Sequence, residues 1–208
     1  MATATTPTPA TSSPTNGFRP FRITTEMYQR IAESGALAKA PRVILWDGQI
    51  VQKVADVTKN RPHITALTLL DTLLGRLLGE GFFLEQEQPI DLGRDRLPEP
   101  DLKCVRGLPA DYLKRDPTPS DVPLIVEVAD TSLADDQGVM LRAYAEAGIP
   151  VYWVVNVPKG RIEVYGGPTG PSPSPSYQEH RMFSRGEQAP VVLDGREVGR
   201  IAVSDVLY

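Results

Sequence analysis

Two acidic residues interrupt apolar stretches of the chain: Asp101 in Glu99-Pro-Asp-Leu-Lys-Cys-Val105, and Glu127 in Leu124-Ile-Val-Glu-Val-Ala-Asp130. Burying an unpaired carboxylate is strongly unfavourable, and a fold tolerates two when they share a cation or a proton. Two carboxylates with a backbone carbonyl and waters make the hard-oxygen set that Mg²⁺ prefers. Such an ion polarises a phosphoryl oxygen, lowers the pKa of a bound water and stabilises a leaving oxygen. Phosphodiester hydrolysis needs all three, so a divalent-metal site with that chemistry is the leading expectation. The plainer alternative is that acids at strand ends face solvent and hold nothing.

The acids can meet only if strands carry them. Side chains alternate between faces along a strand, so Asp101 and Lys103 share one face, and Glu127 shares its face with Ile125 and Ala129. If the two strands are neighbours, the acids approach within about 5 Å. The patterning predicts a helix over 24–38 capped by Thr24 or Thr25, and a hairpin over 42–54 turning at Asp47-Gly48. A leucine-faced helix follows over 63–79, with strands at 82–92, 102–105 and 124–128 and a short helix near 111–114. A helix over 135–148, strands at 151–156 and 161–165, a Gly/Pro/Ser loop over 166–176 and antiparallel strands within 177–183 and 191–203 complete the chain. That order implies a mixed α/β fold, a mixed β-sheet with helices on its faces.

The bounds set by composition agree. The 208 residues are 41% hydrophobic and 23% charged, which suits one globular domain over 18–208. Residues 1–17 are rich in Thr, Pro and Ser and carry no charged side chain, so they read as a disordered tail. No secretory, mitochondrial or membrane-spanning pattern is present, and the single cysteine, Cys104, excludes an intrachain disulfide. A cytoplasmic location is the expectation. The net charge of −4 argues against a broadly basic nucleic-acid binder while leaving room for a local basic groove.

Glu-Pro-Asp-Leu at 99–102, Leu-Ile-Val-Glu-Val-Ala-Asp-Thr-Ser-Leu at 124–133 and Tyr-Ala-Glu-Ala-Gly-Ile-Pro-Val-Tyr-Trp-Val-Val-Asn at 144–156 resemble the Uma-type restriction endonuclease family. That family lies within the PD-(D/E)XK nuclease superfamily. The resemblance runs from about Thr24 to the C-terminus and includes the Trp46-Asp-Gly-Gln-Ile hairpin and the helix beginning at His63. It implies a restriction-endonuclease-like core with extra antiparallel hairpins. It further implies that Asp101, Glu127 and the Val128 carbonyl bind a catalytic Mg²⁺ or Mn²⁺, with DNA as substrate. A two-fold pair of sites is a common way to cut both strands, which makes a homodimer an expectation.

The departures are specific. The superfamily lysine two residues after the glutamate is Ala129 here, and the family's alternative lysine, in an Asp-Arg-Gly-x-Lys segment, is Met140 in Asp136-Gln-Gly-Val-Met140. Ile44 stands where the hairpin commonly carries a glutamate. Methionine cannot orient a water or stabilise charge at phosphorus, and losing one positioned donor typically costs about a hundredfold in rate. Lys103, two residues after Asp101 on the same predicted face, is the candidate replacement and is counted with Asp101 and Glu127 as catalytic. Arg142 points about 200° away from Met140 around a helix. Asp130, Asp135 and Asp136 could hold a second ion, but helix capping is preferred for the latter two. His63 and His180 are too far apart in sequence for a zinc pattern, and structural roles are expected, as is core packing for Tyr152 and Trp153. The competing function is a nuclease fold without catalysis that binds DNA or protein; a metal-binding module with no nucleic-acid role is a third.

Overall fold

The computed structural model describes residues 19–52 and 60–208. The expected tail over 1–17 and the last two residues of the predicted return strand, Lys53 and Val54, lie outside the described residues. Helix α1 (Thr25–Glu33) starts where Thr24 Oγ1 accepts the Met27 N–H at 3.3 Å. It ends short of the expected residue 38 because Gly35 turns to φ 75°. Strands β1 (Val43–Trp46) and β2 (Gln49–Gln52) form the predicted hairpin. Asp47 and Gly48 take φ 49° and 73°, the left-handed pair that a two-residue turn matched to strand twist requires.

Helix α2 (Arg61–Leu77) is capped by Asn60, whose Oδ1 accepts the His63 N–H at 3.1 Å, and Pro62 occupies its first turn, where its missing N–H is harmless. Strand β3 (Phe82–Gln86) is shorter than the predicted 82–92, because Glu87 at φ 53° turns the chain out of the ladder. Strand β4 (Leu102–Arg106) follows, and a 3-10 turn over Pro109–Tyr112 stands near the expected short helix. Strand β5 (Leu124–Ala129) is buried at every residue. The predicted helix over 135–148 is split into a single turn α3 (Leu133–Asp135), a π-turn over Asp136–Met140, and α4 (Leu141–Ala147), ended by Gly148 at φ 81°. Strands β6 (Val151–Asn156), β7 (Arg161–Pro168), β8 (Tyr177–Ser184), β9 (Gln188–Leu193) and β10 (Arg196–Ala202) complete the fold.

Strands β3 to β8 form one six-stranded sheet in sequence order, and β9–β10 form a separate hairpin. Only β5 and β6 pair in parallel within that sheet; their connection is the helical segment, as a parallel crossover demands. One face of the sheet carries Leu102, Cys104, Leu124, Val126, Val128, Trp153 and Val155. It packs against Ala66, Leu67, Leu70 and Leu74 of α2 and against the β9–β10 hairpin. The other face carries Ile125, Ala129, Tyr152 and Val154 under Met140, Tyr144 and Ile149. Each fully buried leucine or aromatic here contributes about 1.5–3 kcal/mol of transfer free energy. The mixed α/β class and the helices on both faces are as the sequence predicts. Among the described residues no helix is long and apolar enough to cross a membrane.

Candidate active site

Asp101 immediately precedes β4 and Glu127 is the fourth residue of β5. The antiparallel register pairs Leu102 with Val126, so the next step out sets Asp101 across from Glu127. The two acids brace each other's strands. The Asp101 N–H donates to Glu127 Oε2 at 3.1 Å, and the Val128 N–H donates to Asp101 Oδ2 at 2.8 Å. Both residues are buried, 4% and 2% exposed. Neighbouring strands therefore bring together the pair that the spacing singled out.

Helices from both sides of the sheet reach the remaining carboxylate oxygens. Tyr144 on α4 donates its O–H to Glu127 Oε1 at 2.9 Å. Burial, reinforced by the Glu127 charge, pushes the Tyr144 phenol well above its ordinary pKa, so it stays a donor. His63, in the first turn of α2, sets its Nε2 3.6 Å from Asp101 Oδ1. From sequence, Tyr144 is only the first residue of the 144–156 motif and His63 is expected to be structural. The signal was present: each is a polar group on an otherwise apolar helix face.

The other candidates divide. Asp136 is buried at the junction of α3 and the π-turn, where it accepts from the Ser132 hydroxyl at 2.5 Å and offers its carbonyl to the Tyr152 O–H at 3.0 Å. Asp130 accepts from the Asn60 amide and ties the start of α2 to the end of β5. Lys103 is fully buried, and its Nζ lies 2.8 Å from Glu85 Oε2 and 2.8 Å from the Gln88 carbonyl. The register pairs Glu85 with Lys103, which directs the ammonium toward β3. Burial lowers its pKa from the usual lysine value, and the Glu85 carboxylate opposes that shift. Met140 is buried in the apolar cluster with Ile125 and Tyr144. Trp153 and Tyr152 are core, and His180 stacks on Tyr165 with ring centres 4.3 Å apart.

A further buried acid, Glu163, lies in the same row of the sheet as Asp101 and Glu127 and was missed from sequence. Val154 pairs with Glu127 on one side and Glu163 on the other. Arg161 donates to Glu163 Oε1 through Nε at 2.8 Å and Nη2 at 2.6 Å, and Asn156 adds a bond at 3.2 Å. Gln137 and Tyr165 donate to Oε2 at 2.8 and 3.0 Å, with His180 Nε2 at 3.3 Å. Burial alone would raise the Glu163 pKa, but these bonds outweigh it and hold the carboxyl below its usual 4.5.

Among the described residues no group of three or more His, Cys, Asp and Glu side chains has an arrangement suited to a metal ion. The Asp101–Glu127 pair offers two buried hard-oxygen donors on adjacent strands, a set that fits Mg²⁺ or Mn²⁺ in kind and lacks the nitrogen and sulfur donors of a structural zinc centre.

The family model described as Uma2, "Putative restriction endonuclease", matches residues 25–203. No protein of curated function matches the sequence. Among solved structures, a crystal structure titled as a "putative nuclease belonging to DUF820" from Anabaena variabilis superposes with a TM-score of 0.62. The two chains are 14% identical, and the match covers 88% of this chain and 97% of that one.

Proposed function

The chain belongs to the Uma2 family, described as "Putative restriction endonuclease", and on that premise we propose that it is a divalent-metal-dependent DNA endonuclease impaired by the methionine at position 140. The observation that carries this reading is the reciprocal bonding of Asp101 and Glu127 across β4 and β5. Two carboxylates anchored through backbone amides are preorganised, so binding a cation needs little rearrangement. Asp101, Glu127 and the Val128 carbonyl would hold Mg²⁺ or Mn²⁺. When bound, that ion supplies Lewis acidity toward the phosphoryl oxygen and a more acidic water. The chain's own residues prepare the site: Tyr144 holds one Glu127 oxygen as a neutral donor, and His63 stands against Asp101.

One observation favours a second reading, a nuclease fold acting as a binding module for DNA or protein. The position of the family lysine is an apolar, buried Met140, and the Lys103 ammonium is bonded to Glu85 and Gln88. Lys103 would serve as the replacement donor only by leaving both partners.

Nicking of supercoiled plasmid with Mg²⁺ or Mn²⁺, with and without a chelator, tests the first reading. Weak nicking lost on chelation and in Asp101→Asn is expected, together with loss of Mn²⁺ binding by calorimetry. Unchanged Mn²⁺ affinity in Asp101→Asn would remove the site. Met140→Lys is expected to raise the rate about a hundredfold. No cleavage by the parent chain or by Met140→Lys, with Mn²⁺ binding intact, would overturn the endonuclease reading, and a DNA gel shift of the parent chain would then test the binding module.

A further inference from the structure

Strand β8 is one edge of the six-stranded sheet, eight residues long, and residues 178–182 are all exposed. The opposite edge, β3, has five residues and is largely half-buried. An edge strand turns alternate backbone N–H and C=O groups outward, a template for another strand. The sequence of β8 selects which strand fits.

Fold Tyr177-Gln-Glu-His-Arg-Met-Phe-Ser184 back on a second copy, antiparallel, with His180 facing His180 of that copy. Glu179 then lies opposite Arg181, and Arg181 opposite Glu179, on one face of the sheet. On the other face Gln178 meets Met182, a methionine 53% exposed in the single chain. Opposite-charge pairs directly across an antiparallel ladder stabilise it, with Cβ atoms about 5 Å apart. Neither Glu179 nor Arg181 forms a salt bridge among the described residues; the Arg181 guanidinium rests on the Phe183 ring, 5.1 Å from its centre. Shifting the two-fold centre to Glu179 would set that acid against itself, and shifting it to Arg181 would do the same to the cation. One register is favoured by charge.

We propose that the chain forms a two-fold homodimer through β8, joining two six-stranded sheets into one of twelve. The occupant of the edge is a second copy because the strand is complementary to itself. The two-fold axis runs through the sheet, so both Asp101–Glu127 pairs lie on the same side. Seven inter-strand steps of about 4.8 Å put the two β5 strands about 34 Å apart along the sheet before twist. One turn of duplex DNA is about 34 Å; this spacing argument alone rests on the nuclease reading.

Sedimentation velocity of the full chain, without DNA or metal, tests the dimer independently of cleavage. A species of twice the chain mass is expected at tens of micromolar protein. Glu179→Arg and Arg181→Glu should each weaken association at least tenfold, and the double exchange should restore it to within about threefold. Both positions are exposed, and circular dichroism of each variant verifies the fold. A monomer at all concentrations, or a dimer indifferent to the single changes, or no rescue by the double exchange, would overturn the proposal.

Discussion

One row of the sheet holds two solutions to the same problem, a carboxylate removed from water. At Glu163 the charge meets a guanidinium, two amides, a phenol and an imidazole, and every oxygen is engaged at 3.3 Å or less. At the β4–β5 end, Asp101 and Glu127 stand side by side with backbone amides, a phenol and an imidazole around them. The first centre gathers donors around one acid and is a structural knot. The second brings two acids together on adjacent strands, a pairing that a shared cation stabilises. Similar burial therefore says little about role; what surrounds a charge says more.

That contrast can be broken by experiment. Glu163→Gln should lower stability by about 2–4 kcal/mol in urea unfolding, since a half-buried arginine loses its anionic acceptor, while Mn²⁺ affinity holds within twofold. Glu127→Gln should do the reverse: stability within about 1 kcal/mol, and metal affinity reduced about a hundredfold. Matching behaviour in the two variants would erase the distinction. Tyr144→Phe sharpens it, with Mn²⁺ affinity expected to fall about tenfold in an unchanged fold. Unaltered affinity would leave the phenol a packing group.

The smallest effect is in acid. The Glu163 carboxyl sits below its usual 4.5, so the stability it contributes is complete above that pH and fades as pH falls through the lower folded-state value. Melting temperatures from about pH 6 to pH 3 should therefore drop more steeply for the parent chain than for Glu163→Gln. Parallel curves would show that the knot is not ionised as described.

What the letters revealed followed from local rules. The Asp47-Gly48 turn needs only two residues that accept left-handed backbone. Asp101 and Glu127 declared themselves because a charge inside an apolar run demands explanation. The failures were of distance and register. Glu85 captures Lys103 because β3 pairs with β4 in one particular alignment, which neither segment encodes alone. His63 meets Asp101 only after α2 has docked across the sheet. Glu163 was hidden because Arg161-Ile-Glu-Val-Tyr165 alternates like any half-exposed strand, and only the layer above reveals its polar positions as interior. The π-turn has no signature in composition, since it differs from α-helix by a shift of one in the backbone partner.

That wide turn carries a consequence for how the segment can change length. It accommodates one residue more than a regular coil in the same span, between the start of the crossover and the helix bearing Tyr144. Deleting Gly138 would let 133–147 relax into an uninterrupted α-helix of the same span, with the residues on either side of the turn facing as before. Gln137, inside the turn, is the residue whose bond to Glu163 such a deletion would disturb, while Tyr144 beyond it keeps its bond to Glu127.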